Sequence, residues 1–171
     1  MYPIYNNLIC KEDTENMKKL VLLFGLISSV CFYSQNFSAI NDILEKIESK
    51  NKKMKDASGY IINNKKFVLI EDFEDHSERH ILEFKNDNSI TLIELIDDKA
   101  TGQTFSNIFS GDFIRKKNAI SIRANYLEGK QIAIPLIYSL YLMNANDIWY
   151  LKDINTSKRW IENNNLTKKK K

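Results

Sequence analysis

The sequence predicts a mainly β domain of the α+β class. An N-terminal amphipathic helix is followed by an antiparallel meander of about eight strands, closed as a barrel or strongly curved. Three observations carry this expectation. Residues 36–56 place apolar side chains at three- and four-residue spacing. From Gly59 onward, runs rich in Ile, Phe, Tyr, Val and Leu alternate with Asn, Asp, Gly and Lys turns. Those turns are short, which favours successive hairpins over parallel crossovers.

Ahead of this domain, residues 17–34 read as a signal peptide. Met17-Lys18-Lys19 makes a cationic start, and the apolar run from Leu20 to Phe32 has the length of a signal core. It is shorter than the ~20 residues a spanning helix needs. Cleavage is expected after Ser34. Residues 1–16 carry Glu12, Asp13 and Glu15, which are foreign to such a start, so they read as a spurious extension before Met17. The expected location is therefore exported, periplasmic or secreted. Lipidation at Cys31 is the alternative and the only route to a membrane; Val30 stands before it where a small residue is expected. Removing 34 of 171 residues leaves 137, with no cysteine. Disulfides, thiol nucleophiles and cysteine-ligated zinc are excluded from that mature chain.

The helix comes first in the domain spanning 35–167. Phe37, Ile40, Ile43, Leu44 and Ile47 make its apolar stripe, with Asn36 or Ser38 as cap. Lys50, Lys52, Lys53 and Lys55 suit the negative end of its dipole. Strands are expected at 60–62, 66–71, 79–85, 89–96, 105–114, 119–126, 131–143 and 148–153, with a short one near 159–162. In 119–126, Ile120, Ile122, Ala124 and Tyr126 alternate with polar residues, so one face should be buried. A three-residue Asn86-Asp87-Asn88 loop sets a register: Phe84 faces Ile90, Leu82 faces Leu92, and His80 faces Glu94. Pro135 cannot donate to a ladder, so it should lie at an edge or a bulge.

Charge says little about partners. Residues 35–167 carry 18 basic and 19 acidic side chains, and the tail Lys168–Lys171 restores the overall +3. Such a tail reads as solvated. No basic patch in the body points to nucleic acid.

Most catalytic chemistries find no footing. There is no Gly-x-Ser-x-Gly elbow. Gly59, Gly102, Gly111 and Gly129 are too scattered to cradle a phosphate, so no nucleotide cofactor is expected. The densest polar segment, Glu71–His80, holds both histidines with five carboxylates. On a helix, His76 and His80 would share a face and could grip a metal. Strand-like flanks instead make the segment a solvated acidic loop, with His80 near Glu94 and no metal assigned. The aromatic residues offer more. Phe109, Phe113, Tyr126, Tyr138, Tyr141 and Trp149 could line a barrel interior, with Tyr hydroxyls and the Trp N–H orienting an apolar ligand.

Within 81–153, several motifs carry a resemblance. They are Ile81-Leu-Glu-Phe-Lys-Asn-Asp-Asn-Ser-Ile90, Phe109-Ser-Gly-Asp-Phe113, Asn118-Ala-Ile-Ser-Ile122, Ile134-Pro-Leu-Ile-Tyr138 and Asp147-Ile-Trp-Tyr-Leu151. Together they resemble the lipocalin-like domains of small exported bacterial proteins. Asp87-Asn88 replaces the usual Asp-Gly, and Phe113 stands where Trp is common. The resemblance implies a meander barrel, usually without catalysis. The expected function is non-enzymatic binding of a small apolar ligand. The alternative is an inhibitor- or immunity-type module that meets a protein partner through its outer sheet and acidic loop.

Overall fold

Each hairpin of the meander is set by its turn. In the computed structural model, which describes residues 36–48, 57 and 59–167, the strands follow one another as β1 (Lys66–Asp72), β2 (His76–Phe84), β3 (Ser89–Asp98), β4 (Thr104–Lys116), β5 (Ala119–Leu127), β6 (Lys130–Ala145), β7 (Ile148–Asp153) and β8 (Arg159–Glu162). Two-residue turns join β5 to β6 and β6 to β7. Their central residues Glu128-Gly129 and Asn146-Asp147 all have positive φ, the twist that suits tight hairpins. Every strand pairs antiparallel with its neighbour, and β1 pairs with β8, so the sheet closes as a barrel. The helix α1 covers residues 36–48, and the short α2 spans Asn163–Thr167. The leader, residues 49–56 and the lysine tail lie outside the described residues.

The register expected for the β2–β3 hairpin is the one observed. Phe84 faces Ile90, Leu82 faces Leu92 and His80 faces Glu94, while Lys85 N–H donates to the Ser89 carbonyl at 2.9 Å. Pro135 takes the bulge. Ala124 pairs with Leu136 and Tyr126 with Gln131, so Ile132–Pro135 stand out of the ladder opposite Asn125 alone. A closed barrel has no edge, which leaves a bulge as the place for a residue without N–H.

Two expectations are corrected. Residues 60–62 are not a strand. They cross one end of the barrel, where Ile62 is buried. Arg115 ties this segment down by donating to the carbonyls of Tyr60 and, at 2.8 Å, Ala57. Residues 71–80 are not one loop either, since only 73–75 lie between strands. β1 continues to Asp72 and β2 begins at His76, so both histidines lie in one strand.

The register places Phe67, Leu82, Phe84, Ile90, Leu92, Ile122 and Leu140 on the inner face, and all are fully buried. Phe84 meets Phe67 and Phe113 edge-on, at centroid distances of 5.8 and 4.9 Å. Side chains thus fill this part of the interior, as expected of an eight-stranded barrel. On the outside, α1 holds β7 and β8 through Glu48. Its carboxylate accepts from Tyr150 Oη at 2.9 Å, Lys152 Nζ at 2.6 Å and Arg159 Nη2 at 2.9 Å.

Candidate functional site

Two places on the barrel gather unusual side chains, one at each end. The end crossed by residues 59–63 holds a pocket of about 480 Å³. Ile61, Ile62, Phe113 and Ile114 give it apolar walls, and Asn63, Asn88 and Arg115 give it polar ones. Ile62 and Phe113 are buried, whereas Ile61 and Ile114 are 73% and 75% exposed. Arg115 is committed to backbone carbonyls, including Lys117 O at 2.7 Å, so it shapes the pocket rather than offering it a free charge.

The six aromatic residues expected to line a lumen do not converge. Phe109 and Phe113 are buried inside, and Tyr138 meets Trp160 edge-on at 5.8 Å. Tyr126 and Tyr141 are each 43% exposed. Trp149 stacks on Tyr60 at 4.1 Å. The physical reason for Tyr126 is a bulge. Ser110 pairs with Tyr126 but Gly111 pairs with Ala124, so Asn125 is an extra residue that reverses the alternation. Tyr141 sits an odd number of residues from inward Leu140 and so faces outward. Among the six, only Phe113 lines the pocket.

At the opposite end the inner face turns polar. His76, Glu78 and His80 occupy alternate positions of β2 and share one face. Glu71 of β1 pairs across to Glu78, and Glu94 of β3 pairs across to His80. The Glu78 carboxylate bridges the histidines, 3.2 Å from His76 Nε2 and 3.0 Å from His80 Nε2. His80 Nδ1 lies 3.7 Å from Glu94, an ion-pair rather than a hydrogen-bond distance. Glu71 accepts from Lys158 Nζ at 2.7 Å. Ligand atoms of Glu71, Glu78 and His80 all fall within 4.8 Å of one another.

These charges move one another. Burial pushes the His80 pKa down, but the Glu94 and Glu78 carboxylates outweigh it and raise it above the ordinary value. Asp75, hydrogen-bonded to His76 at 2.6 Å, raises His76. Burial would raise Glu78, yet its two histidine partners hold it low. Tyr138 is pushed up to about 12 by burial, with Glu94 and Asp153 adding to the effect. The sequence puts His80 beside Glu94 but does not bring Glu71 and Glu78 to the same face, because the inward aim of Glu78 follows from strand alternation only once β2 begins at His76.

Comparison with protein-family models, curated proteins and solved structures finds no match to this chain. Among the described residues, no helix is long and apolar enough to cross a membrane.

Proposed function

We propose that this chain is a small exported, non-enzymatic binding protein that takes an apolar small ligand. The ligand sits in the end pocket, between the 59–63 segment and the Phe113–Arg115 end of β4. The observation that carries this reading is the presence of Ile61 and Ile114 in the wall of one pocket. Both are largely exposed, yet both wall a concavity of about 480 Å³. That volume falls in the usual range for small-ligand sites. Exposed branched apolar side chains that line a pocket gain about 25 cal/mol for each Å² a ligand covers. The inner face is filled with buried Phe, Leu and Ile, which directs an apolar guest to the barrel end instead.

Titration of the full chain with the fluorescent apolar probe 1-anilinonaphthalene-8-sulfonate tests this. A saturable site of one equivalent is expected, weakened at least tenfold in Ile61→Ser/Ile114→Ser with the thermal midpoint nearly unchanged. Equal binding by the double variant would overturn the placement. Native mass spectrometry of protein recovered from its own cells then identifies a co-purifying small molecule.

A second reading, a protein-interaction module, rests on the outer sheet. Ile137 and Tyr141 of β6 are 64% and 43% exposed and stand four residues apart on one face. Cross-linking at position 137 to a protein of the exporting cell, with no small molecule retained, would favour it.

A further inference from the structure

The polar end of the barrel carries an inference independent of the pocket at the other end. We propose that Glu71, Glu78 and His80 form a site for one divalent transition ion of the zinc type.

The argument begins with donor chemistry. One imidazole and two carboxylates make a mixed nitrogen and oxygen set, suited to zinc and its neighbours. Calcium and magnesium prefer oxygen alone. The three donors come from two paired strands rather than from a flexible loop, and their ligand atoms already lie within 4.8 Å of one another. Little rearrangement separates that spacing from a common ion.

Charge points the same way. Glu71, Glu78 and Glu94 meet around His80, and Lys158 is the lysine that joins them, on Glu71. The three carboxylates outnumber Lys158, and since ligation requires a neutral His80, the ion takes the place of the imidazole proton they otherwise favour. Partly buried carboxylates in excess are costly unless a cation joins them. A divalent ion balances that excess. Glu71 can keep Lys158 on one oxygen, since a carboxylate has acceptor sites to spare.

The imidazole of His80 supplies an independent observation. Its Nε2 faces Glu78 and is the ligating atom, while its Nδ1 is buried, without a hydrogen-bond partner, and 3.7 Å from Glu94. With Nε2 on an ion, the ring proton resides on Nδ1 and points at the Glu94 carboxylate. A carboxylate behind the imidazole in this way fixes the tautomer and strengthens the ligand. Glu94 is thus a positioning residue. Trp160, 2% exposed and edge-on to His80 at 5.9 Å, also carries an unpartnered N–H and walls the ring on its apolar side.

Titration of the full-length protein with zinc chloride, read by calorimetry and by the 15N shifts of the His80 ring, tests the site. One equivalent is expected to bind at micromolar or lower Kd, with His80 Nε2 shifting as the ligated nitrogen and Nδ1 staying protonated. Glu71→Gln and Glu78→Gln, which keep shape, should each weaken binding at least tenfold. Glu94→Gln should weaken it less and shift the His80 Nδ1 signal. Calcium and magnesium should not compete at millimolar concentration. Should one glutamine variant lose its fold, the other and the native His80 ring signals still decide. Absence of saturable binding below millimolar zinc, retention of it in both glutamine variants, or ligation through His76 in place of His80 would each overturn the proposal.

Discussion

At Gly111 the backbone of β4 passes against that of β5. A Cβ built there would strike the Arg123 carbonyl oxygen and stand 2.6 Å from Ala124 Cα. Both obstacles are main chain, so no rotamer change relieves them. The crowding coincides with the register shift between Ser110 and Gly111, where Asn125 is the extra residue of β5. A strand glycine that admits a neighbouring backbone is a recognised use of the residue. Gly111→Ala should therefore destabilise the barrel by about 3 kcal/mol, toward the top of the usual range for point changes. Urea denaturation of the variant checks this; a loss below ~1 kcal/mol would contradict the close approach. The same bulge shows why the candidate site was only partly legible. Sequence alternation carries Tyr126 inward with Ala124, and one unpaired residue undoes it. Pro135 announces its bulge through a missing N–H, whereas Asn125 has no such chemical signature.

The polar contact of α1 with β7 and β8 centres on Glu48, beside which Asn41 Oδ1 accepts from Arg159 Nη1 at 3.2 Å. Arg159 approaches Glu48 with two nitrogens, Nε at 3.2 Å and Nη2 at 2.9 Å, and Lys152 and Tyr150 complete the set. Burial alone would raise the Glu48 pKa, but these partners bring it down from 4.5 to about 2. A lowered carboxylate pKa stabilises the folded state above the unfolded value. That contribution fades as pH falls from about 4.5 toward 2. Solvent screening at this half-buried site leaves the shift worth about 1–2 kcal/mol at neutral pH. Glu48→Gln should therefore lower stability by roughly 1–2 kcal/mol at pH 7 and make little difference near pH 2. Denaturation curves at both pH values check it, and an equal loss at both would show that packing rather than charge is at stake. The elements themselves were largely readable. The β2–β3 register follows from apolar residues that must face each other across a three-residue turn. Residues 71–80 misled because inward positions are normally apolar, and here Glu71, Glu78 and His80 point inward with their own partners. Residues 60–62 carry strand-like side chains but no strand to pair with, since β2 is already flanked by β1 and β3.

The barrel as a whole is closed by its least extensive seam. β3 and β4 pair over nine positions and β2 and β3 over nine, whereas β1 and β8 share only Phe67↔Glu162 and Val68↔Ile161. Hairpins between successive strands close short loops, but the β1–β8 pairing joins residues nearly a hundred positions apart. That closure carries the larger entropic cost. Side chains compensate at the seam. Trp160 and Ile161 are buried, and Glu162 pairs with Lys65 at 3.3 Å while accepting from Asn164 at 3.2 Å. Trp160 also spans the interior, edge-on to Tyr138 and to His80, so it joins β8 to β6 and β2 without backbone pairing. Trp160→Ala should cost about 3–5 kcal/mol through the cavity it leaves. It should also change where the barrel opens. In the native chain, amide exchange is expected to be slowest in β3 and β4 and faster in β8, because seam opening leaves the long hairpins intact. In the variant, β8 and the facing amides of β1 should exchange many-fold faster while the β3–β4 pair keeps most of its protection. A uniform loss of protection around the ring would instead show that the barrel opens as one cooperative unit, with the seam no weaker than the hairpins.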